Sequence, residues 1–169
     1  MFTVNIALMK RVGASWKPIF GVVHAPVSRT TWLGGIDVPA TRITDAETSV
    51  ISVKKQTDAQ TRLVASGSHR AERDEKFARE LGEHELVRMG SSLKACIVAE
   101  GSADLYPRFG PTSCWDIAAA HAVVEAAGGF VLSPHCEPLV YDLVDEVLNP
   151  YFLVASSTKW NDIWAQNQN

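Results

Sequence analysis

The sequence predicts a layered α/β (α+β) protein. An antiparallel strand meander from an incomplete first αβ layer is followed by a mixed-sheet α/β layer. Apolar and polar residues alternate strictly over residues 2–8, and short turns link this segment to two further apolar segments, which is typical of a meander. From residue 62 onward, short apolar segments alternate with segments of helical period, which is typical of an α/β layer. The 169 residues, 46% of them apolar, are enough for a core of domain size.

The meander begins with a strand over residues 2–8, followed by strands at 18–25 and 31–33. Phe2, Val4, Ile6 and Leu8 share one face of the first strand, and the alternation predicts that this face enters a core. Because the meander has nothing of its own to cover that face, we expect the cover to come from later residues, a partner chain or sequence beyond this one.

The stretch at 36–62 is polar and rich in threonine and aspartate, with one short apolar pair at Val50 and Ile51. We expect a linker near residues 54–61. The chain would thus divide into a remnant of an N-terminal α+β layer at 1–58 and a C-terminal α/β layer at 59–169.

The second layer is predicted to alternate strands and helices. The strands are expected at 62–66, 85–89, 103–106, 130–132 and 151–155. Helices are expected at 73–81, from Ser91 or Ser92 onward, at 116–127 and from about Ser157. Gly82 and the pair Gly128-Gly129 end the first and third of these helices.

Composition excludes several classes of function. A net charge of −3 with no basic stripe argues against a nucleic-acid surface. No apolar run approaches the roughly 20 residues of a membrane helix, and the N-terminus lacks the pattern of a signal peptide. Cys96, Cys114 and Cys136 have neither disulfide-framework nor zinc-site spacing, so we expect free thiols in a reducing cytoplasm.

The segment with the clearest chemical signal runs from residue 110 to 129. Asp116 opens a helix directly after a loop of glycine and proline, so its carboxylate lies at the positive end of the helix dipole. Two interpretations remain open from the residues alone: an N-cap, or an oxygen ligand for a hard cation such as Mg²⁺. The alanines at 118, 119, 120, 122 and 126 predict that another element packs closely on this helix.

The motif Trp-Asp-Ile-Ala-Ala at 115–119, followed by Glu-Ala-Ala-Gly-Gly at 125–129, resembles the C-terminal signature of the inositol monophosphatase superfamily. The wider similarity is strongest to the 3'(2'),5'-bisphosphate nucleotidases of sulfur assimilation. Five further segments resemble that group in the same order, at 2–8, 21–26, 66–69, 87–108 and 148–153.

The resemblance implies the C-terminal part of the sugar-phosphatase fold and Mg²⁺-dependent hydrolysis of a phosphomonoester. The substrate it implies is an adenine bisphosphonucleotide, adenosine 3',5'-bisphosphate, giving AMP and phosphate with two or three Mg²⁺ ions. Asp116 matches a metal ligand of the family. The matches to substrate contacts are Ser68, His69, Ser91, Lys94 and Arg108.

The family's Asp-Pro-x-Asp-Gly-Thr loop and its glutamate pair supply most of the metal ligands, and the sequence contains neither. Asp116 alone cannot hold two Mg²⁺ ions, which keep their water unless several carboxylates compete. Two expectations follow: the chain is a shortened product that is inactive alone, or a complementing N-terminal fragment docks on the strand edge at residues 2–8. Exposed apolar surface on the meander also predicts a homo-oligomer.

Two other functions remain open. The chain would be a non-catalytic module that binds an adenine nucleotide, or a related sugar phosphatase acting on inositol phosphate or fructose bisphosphate.

Overall fold

The first sheet is an antiparallel meander of five strands in chain order. The computed structural model describes residues 2–54, 60–65 and 72–168. The strands are β1 (Val4–Val12), β2 (Ser15–Ala25), β3 (Thr30–Gly35), β4 (Val38–Ile43) and β5 (Thr48–Val50). The prediction of a meander is confirmed, and the meander is longer than the sequence indicated.

Strands β4 and β5 lie within the polar stretch at 36–62, for which the sequence predicted no strand. Alternation of apolar residues failed to reveal β4 because Ala40 is its only fully buried residue. The pairing of β4 with β3 and β5 supplies the strand instead. The expected linker falls mostly on residues 55–59, outside the described part of the chain.

The second sheet is mixed, as predicted, with the strand order β7-β6-β8-β10-β9. Its strands are β6 (Thr61–Ala65), β7 (His84–Arg88), β8 (Leu105–Arg108), β9 (Phe130–Leu132) and β10 (Phe152–Ala155). Strand β6 runs parallel to β7 and β8, whereas β10 runs antiparallel to β8 and β9. The helices are α1 (Glu72–Leu81), α2 (Leu93–Ala99), α3 (Cys114–Ala126) and α4 (Asn161–Gln166), the last after a 3-10 turn at Thr158–Trp160.

The elements stack in four layers, which can be followed along the alternating side chains of β10. Phe152 and Val154 pack in the cluster that contains α2 and α3. Leu153 and Ala155 pack in the cluster that contains residues of α1 and α4. The order of layers is therefore the first sheet, α2 with α3, the second sheet, and α1 with α4. Only the second sheet has helices of the described chain on both faces.

Helix α3 lies very close to the first sheet because both surfaces carry small residues. A methyl group added at Gly21 of β2 would overlap the carbonyl group of Ala119. At Gly34 of β3 it would lie 2.9 Å from the Cβ of Ala126. The alanines of α3 thus accommodate the meander, which is the close packing that the sequence predicted.

The apolar face of β1 points away from the core, so the later residues that the structure describes do not supply the cover expected for it. The side chains of Val4, Ile6 and Leu8 are 47%, 65% and 57% exposed, while Ala7 and Met9 pack against the core. A period of two identifies a strand but not which of its faces packs against the core. Here α3 approaches closely, so the face that carries a small residue packs against the core.

Side chains that are paired in register continue this apolar surface across the sheet. Ile6 pairs with Val22, Val22 with Leu33, Leu33 with Thr41, and Thr41 with Val50. We call this surface the open face. No described helix is long and apolar enough to cross a membrane.

Candidate functional site

A cavity of about 600 Å³ lies where the start of β1, the turn before α2, the end of β8 and the first turn of α3 meet. Its lining is mostly polar. The residues around it are Phe2, Thr3, Asn5, Ser91, Ser92, Lys94, Tyr106, Arg108, Pro111, Thr112, Trp115, Asp116, Ile117 and Phe152. Both sheets contribute strands to its wall, so the cavity depends on the layered packing rather than on one loop.

Asp116 is the third residue of α3, which begins at Cys114 rather than at Asp116 as predicted. Its Oδ2 accepts a hydrogen bond of 2.8 Å from the backbone N–H of Ser113, the N-cap residue. The carboxylate is also exposed and lines the cavity. It therefore stabilises the helix start and faces the cavity, so the two interpretations left open by the sequence do not exclude each other.

Lys94 is held in the cavity wall with only 8% of its surface exposed. Its Nζ donates a hydrogen bond of 2.8 Å to the carbonyl oxygen of Ser91 and lies 5.3 Å from the centre of the Tyr106 ring. Burial and, to a smaller degree, the charge of Arg108 lower the pKa of Lys94, and the charge of Asp116 opposes them, so that the resulting pKa is about 8. A phosphate entering here would favour the charged ammonium and restore its pKa.

Arg108 leaves the end of β8 and turns across the loop toward α3. Its Nη2 donates 3.1 Å to the carbonyl oxygen of Pro111. Its Nε is buried and has no hydrogen-bond partner among the residues that the structure describes. A buried guanidinium N–H without a partner is costly, and an anion in the cavity would satisfy it.

A polar cluster, which we call the β1 clamp, joins the start of β1 to the turn before α2. The Thr3 hydroxyl hydrogen-bonds with the hydroxyls of Ser91 at 2.6 Å and Ser92 at 2.9 Å. The Ser92 hydroxyl donates 2.9 Å to Asn5 Oδ1. Thr3 and Asn5 were not predicted as site residues, although their shared position on the polar side of β1 was a signal that could have indicated them.

Four predicted site residues, Ser91, Lys94, Arg108 and Asp116, line this one cavity. The other two, Ser68 and His69, lie outside the described residues. Tyr106 and Trp115 also line the cavity and were not among the predicted contacts.

The described residues do not form a metal site by themselves. Asp116 is the one carboxylate in the cavity lining, and residues 2–54, 60–65 and 72–168 contain no group of three or more metal-ligating side chains. Mg²⁺ in proteins is held by carboxylates together with substrate phosphate and water in octahedral geometry, so a single carboxylate does not fit two such ions. The cavity contains two cationic side chains, several hydroxyl groups and the first turn of α3. Together these groups favour the binding of an anion.

Sequence comparison relates the chain to known proteins over almost its whole length. The pattern of the inositol monophosphatase family matches residues 1–164. The 3'(2'),5'-bisphosphate nucleotidase CysQ of Escherichia coli (strain K12) is 43% identical over 155 residues, which cover 91% of this chain and 60% of that protein. The enzyme of the same name from Haemophilus influenzae is 30% identical over 175 residues, with 98% and 62% covered. The chain therefore spans about 60% of the length of these relatives.

Solved structures show the same arrangement. CysQ from Bacteroides thetaiotaomicron, titled a bacterial member of the inositol monophosphatase family, superposes with a TM-score of 0.78 at 34% identity. The match covers 92% of this chain and 63% of that one. An inositol monophosphatase from Zymomonas mobilis has a TM-score of 0.76 at 20% identity, over 99% of this chain and 62% of that one, which supports the fold alone.

Proposed function

The chain belongs to the inositol monophosphatase family, and we propose that it serves as the substrate-binding portion of a 3'(2'),5'-bisphosphate nucleotidase. The reaction is hydrolysis of a phosphomonoester, with adenosine 3',5'-bisphosphate giving AMP and phosphate. The names of the relatives that are more than 40% identical support this substrate class.

The observation that carries the proposal is the pair of cations in one cavity. Lys94 and Arg108 lie close enough for the charge of Arg108 to depress the pKa of Lys94. Two neighbouring cations repel each other, and an anion bound between them would offset that repulsion. A substrate with a second phosphate supplies that charge. Ser91 beside Lys94 adds a hydroxyl to the same wall.

Asp116 remains a proposed metal ligand, and Mg²⁺ remains the proposed cofactor. The donor set of the described residues is too small for it, so further carboxylates must come from elsewhere. Bound Mg²⁺ would supply an activated water and neutralise phosphate charge. The residues of this chain bind and orient the phosphates, through Lys94, Arg108 and the hydroxyls around them.

We propose that a complementing polypeptide covers the open face and brings the missing carboxylates. About 40% of the length of the Escherichia coli relative has no counterpart in this chain. In the described part of the chain, the second sheet has helices on both faces, whereas the first sheet has them on one. The docking surface is therefore the open face rather than the strand edge that the sequence suggested. A second copy of the chain is the alternative occupant.

A second candidate function is a non-catalytic nucleotide-binding module. The observation that favours it is that Asp116 is the single carboxylate among the described residues that line the cavity. We place the protein in the cytoplasm, supported by the three cysteines, all of which are free.

A phosphate-release assay with Mg²⁺ separates these functions. Adenosine 3',5'-bisphosphate and inositol phosphate are offered in parallel to the chain, with and without the unmatched portion of the Escherichia coli relative as a separate polypeptide. We expect release from the bisphosphate when both polypeptides are present. Preference for inositol phosphate would contradict the proposed substrate, and calorimetric binding without release in either mixture would support the binding module.

A further inference from the structure

Ser91 and Ser92 adopt unusual arrangements at the entrance to α2. Ser91 has a φ of +55°, a left-handed conformation that is uncommon for any residue except glycine. Ser92 occupies the N-cap position, yet its side chain makes no capping hydrogen bond to the helix. Its hydroxyl bonds instead with Thr3 and Asn5, which precede it by 89 and 87 residues.

The left-handed turn has a direct consequence for Lys94. The carbonyl group of Ser91 accepts the 2.8 Å hydrogen bond from Lys94 Nζ, which fixes the ammonium against the cavity wall. A non-glycine residue in this conformation costs free energy and persists only where surrounding contacts hold it. The contact that holds Ser91 is the 2.6 Å hydrogen bond between its hydroxyl and that of Thr3.

We propose that Thr3 is a positioning residue for Lys94: by holding Ser91 in its left-handed turn, Thr3 fixes the ammonium where it meets the second phosphate of the substrate. The identity of that ligand rests on the function proposed above. The position of the ammonium does not, and it can be measured without any nucleotide.

The first test is the rate at which a small amine-reactive reagent labels Lys94, measured by mass spectrometry with the exposed Lys10 as internal reference. Thr3→Val keeps the shape of the side chain and removes its hydroxyl. We expect Lys94 labelling to rise roughly three- to tenfold, the range expected for losing one hydrogen bond, and Thr3→Ser to label at the wild-type rate. Thr41→Val, which removes a hydroxyl elsewhere in the same sheet, is the matched control.

Unchanged labelling in Thr3→Val, or an equal rise in Thr41→Val, would overturn the inference. Ser91→Ala removes the hydrogen bond between Thr3 and Ser91 from the helix side. If Thr3→Val does not fold, this variant takes its place, with the same rise expected and the same result contradicting it.

The second test is a double-mutant cycle on the affinity for adenosine 3',5'-bisphosphate. Thr3→Val is expected to weaken binding by about fivefold in the wild-type background and to have no effect in a Lys94→Met background. Equal losses in both backgrounds would assign Thr3 a merely structural role and overturn the inference. Absence of nucleotide binding by the wild-type chain would overturn the proposed function instead, and the labelling result would then decide the role of Thr3.

Discussion

We expect Lys94 to make anion binding in the cavity dependent on pH. Burial, followed by the charge of Arg108, lowers the pKa of Lys94 from 10.5 to about 8. A group with this pKa is mostly charged at pH 7 and mostly neutral at pH 9. Only the charged form attracts phosphate, so affinity is fully present below pH 8 and is lost as the pH rises through that value.

We therefore expect the affinity for adenosine 3',5'-bisphosphate to fall by roughly tenfold between pH 7 and pH 9. Calorimetric titrations at intervals of half a pH unit measure this fall. Lys94→Met should flatten the profile because no group near the second phosphate then titrates in that range. An identical fall in the variant would show that another group causes it.

The residues of the site were predictable to different degrees. Lys94, Arg108 and Asp116 belong to motifs whose resemblance to a family indicated them, and the structure brings them into one cavity. No motif indicated a role in the site for Thr3. Its contact with Ser91 spans 88 residues and depends on how β1 is placed against α2, which local patterns do not encode.

The interface between α3 and the meander depends on glycine at two close contacts. Gly21 lies against the backbone of Ala119, and α3 in turn packs against the second sheet. What limits the choice of residue at Gly21 is the space available for a side chain and not the backbone conformation. Any side chain at this position would therefore separate the first sheet from α3.

Gly21→Ala is expected to lower the free energy of unfolding by about 2 kcal/mol or more, because overpacking forces a backbone shift. Urea denaturation measures the change. Gly90→Ala places the same methyl group where no atom lies within 4 Å, and we expect it to change stability by less than about 0.5 kcal/mol. Equal effects in the two variants would contradict the close packing.

The elements themselves were predicted unevenly. Helix α3 was predicted almost to its ends because its apolar period and the terminal glycines agree. Strand β5 has three residues and no apolar alternation, so only pairing with β4 defines it. The sequence does not determine which face of β1 packs on the described core, because the packing of α3, which is remote in sequence, decides it.

Among the residues that the structure describes, no helix covers the open face, whereas helices cover both faces of the second sheet. Ile6 and Val50 are 65% and 75% exposed on this surface. Large exposed apolar surfaces are typical of interaction sites. The division near residue 58 remains a proposal. Helices α2 and α3 of the second part form the layer on which the first sheet packs, so residues from both sides of that boundary share one core.

We expect the chain alone to bind a hydrophobic dye and to self-associate. The double variant Ile6→Thr/Val22→Thr retains strand-forming residues and should reduce dye fluorescence by about half. Sedimentation velocity should show less association. Val144→Thr, at an exposed position outside the sheet, is the control. No dye binding by the wild type, or an equal reduction in the control, would contradict an interaction role for the open face.

Recognition of a second phosphate by the cavity is decided by a calorimetric titration of the chain with adenosine 3',5'-bisphosphate and with AMP at pH 7. Lys94→Met and Lys10→Met remove the same charge, one inside the cavity and one on an exposed part of β1. We predict that the wild type binds the bisphosphate more tightly than AMP and that Lys94→Met weakens bisphosphate binding by roughly tenfold or more. Lys10→Met should bind as the wild type does. Equal affinities for the two nucleotides, or equal losses in the two variants, would contradict the assignment of the cavity.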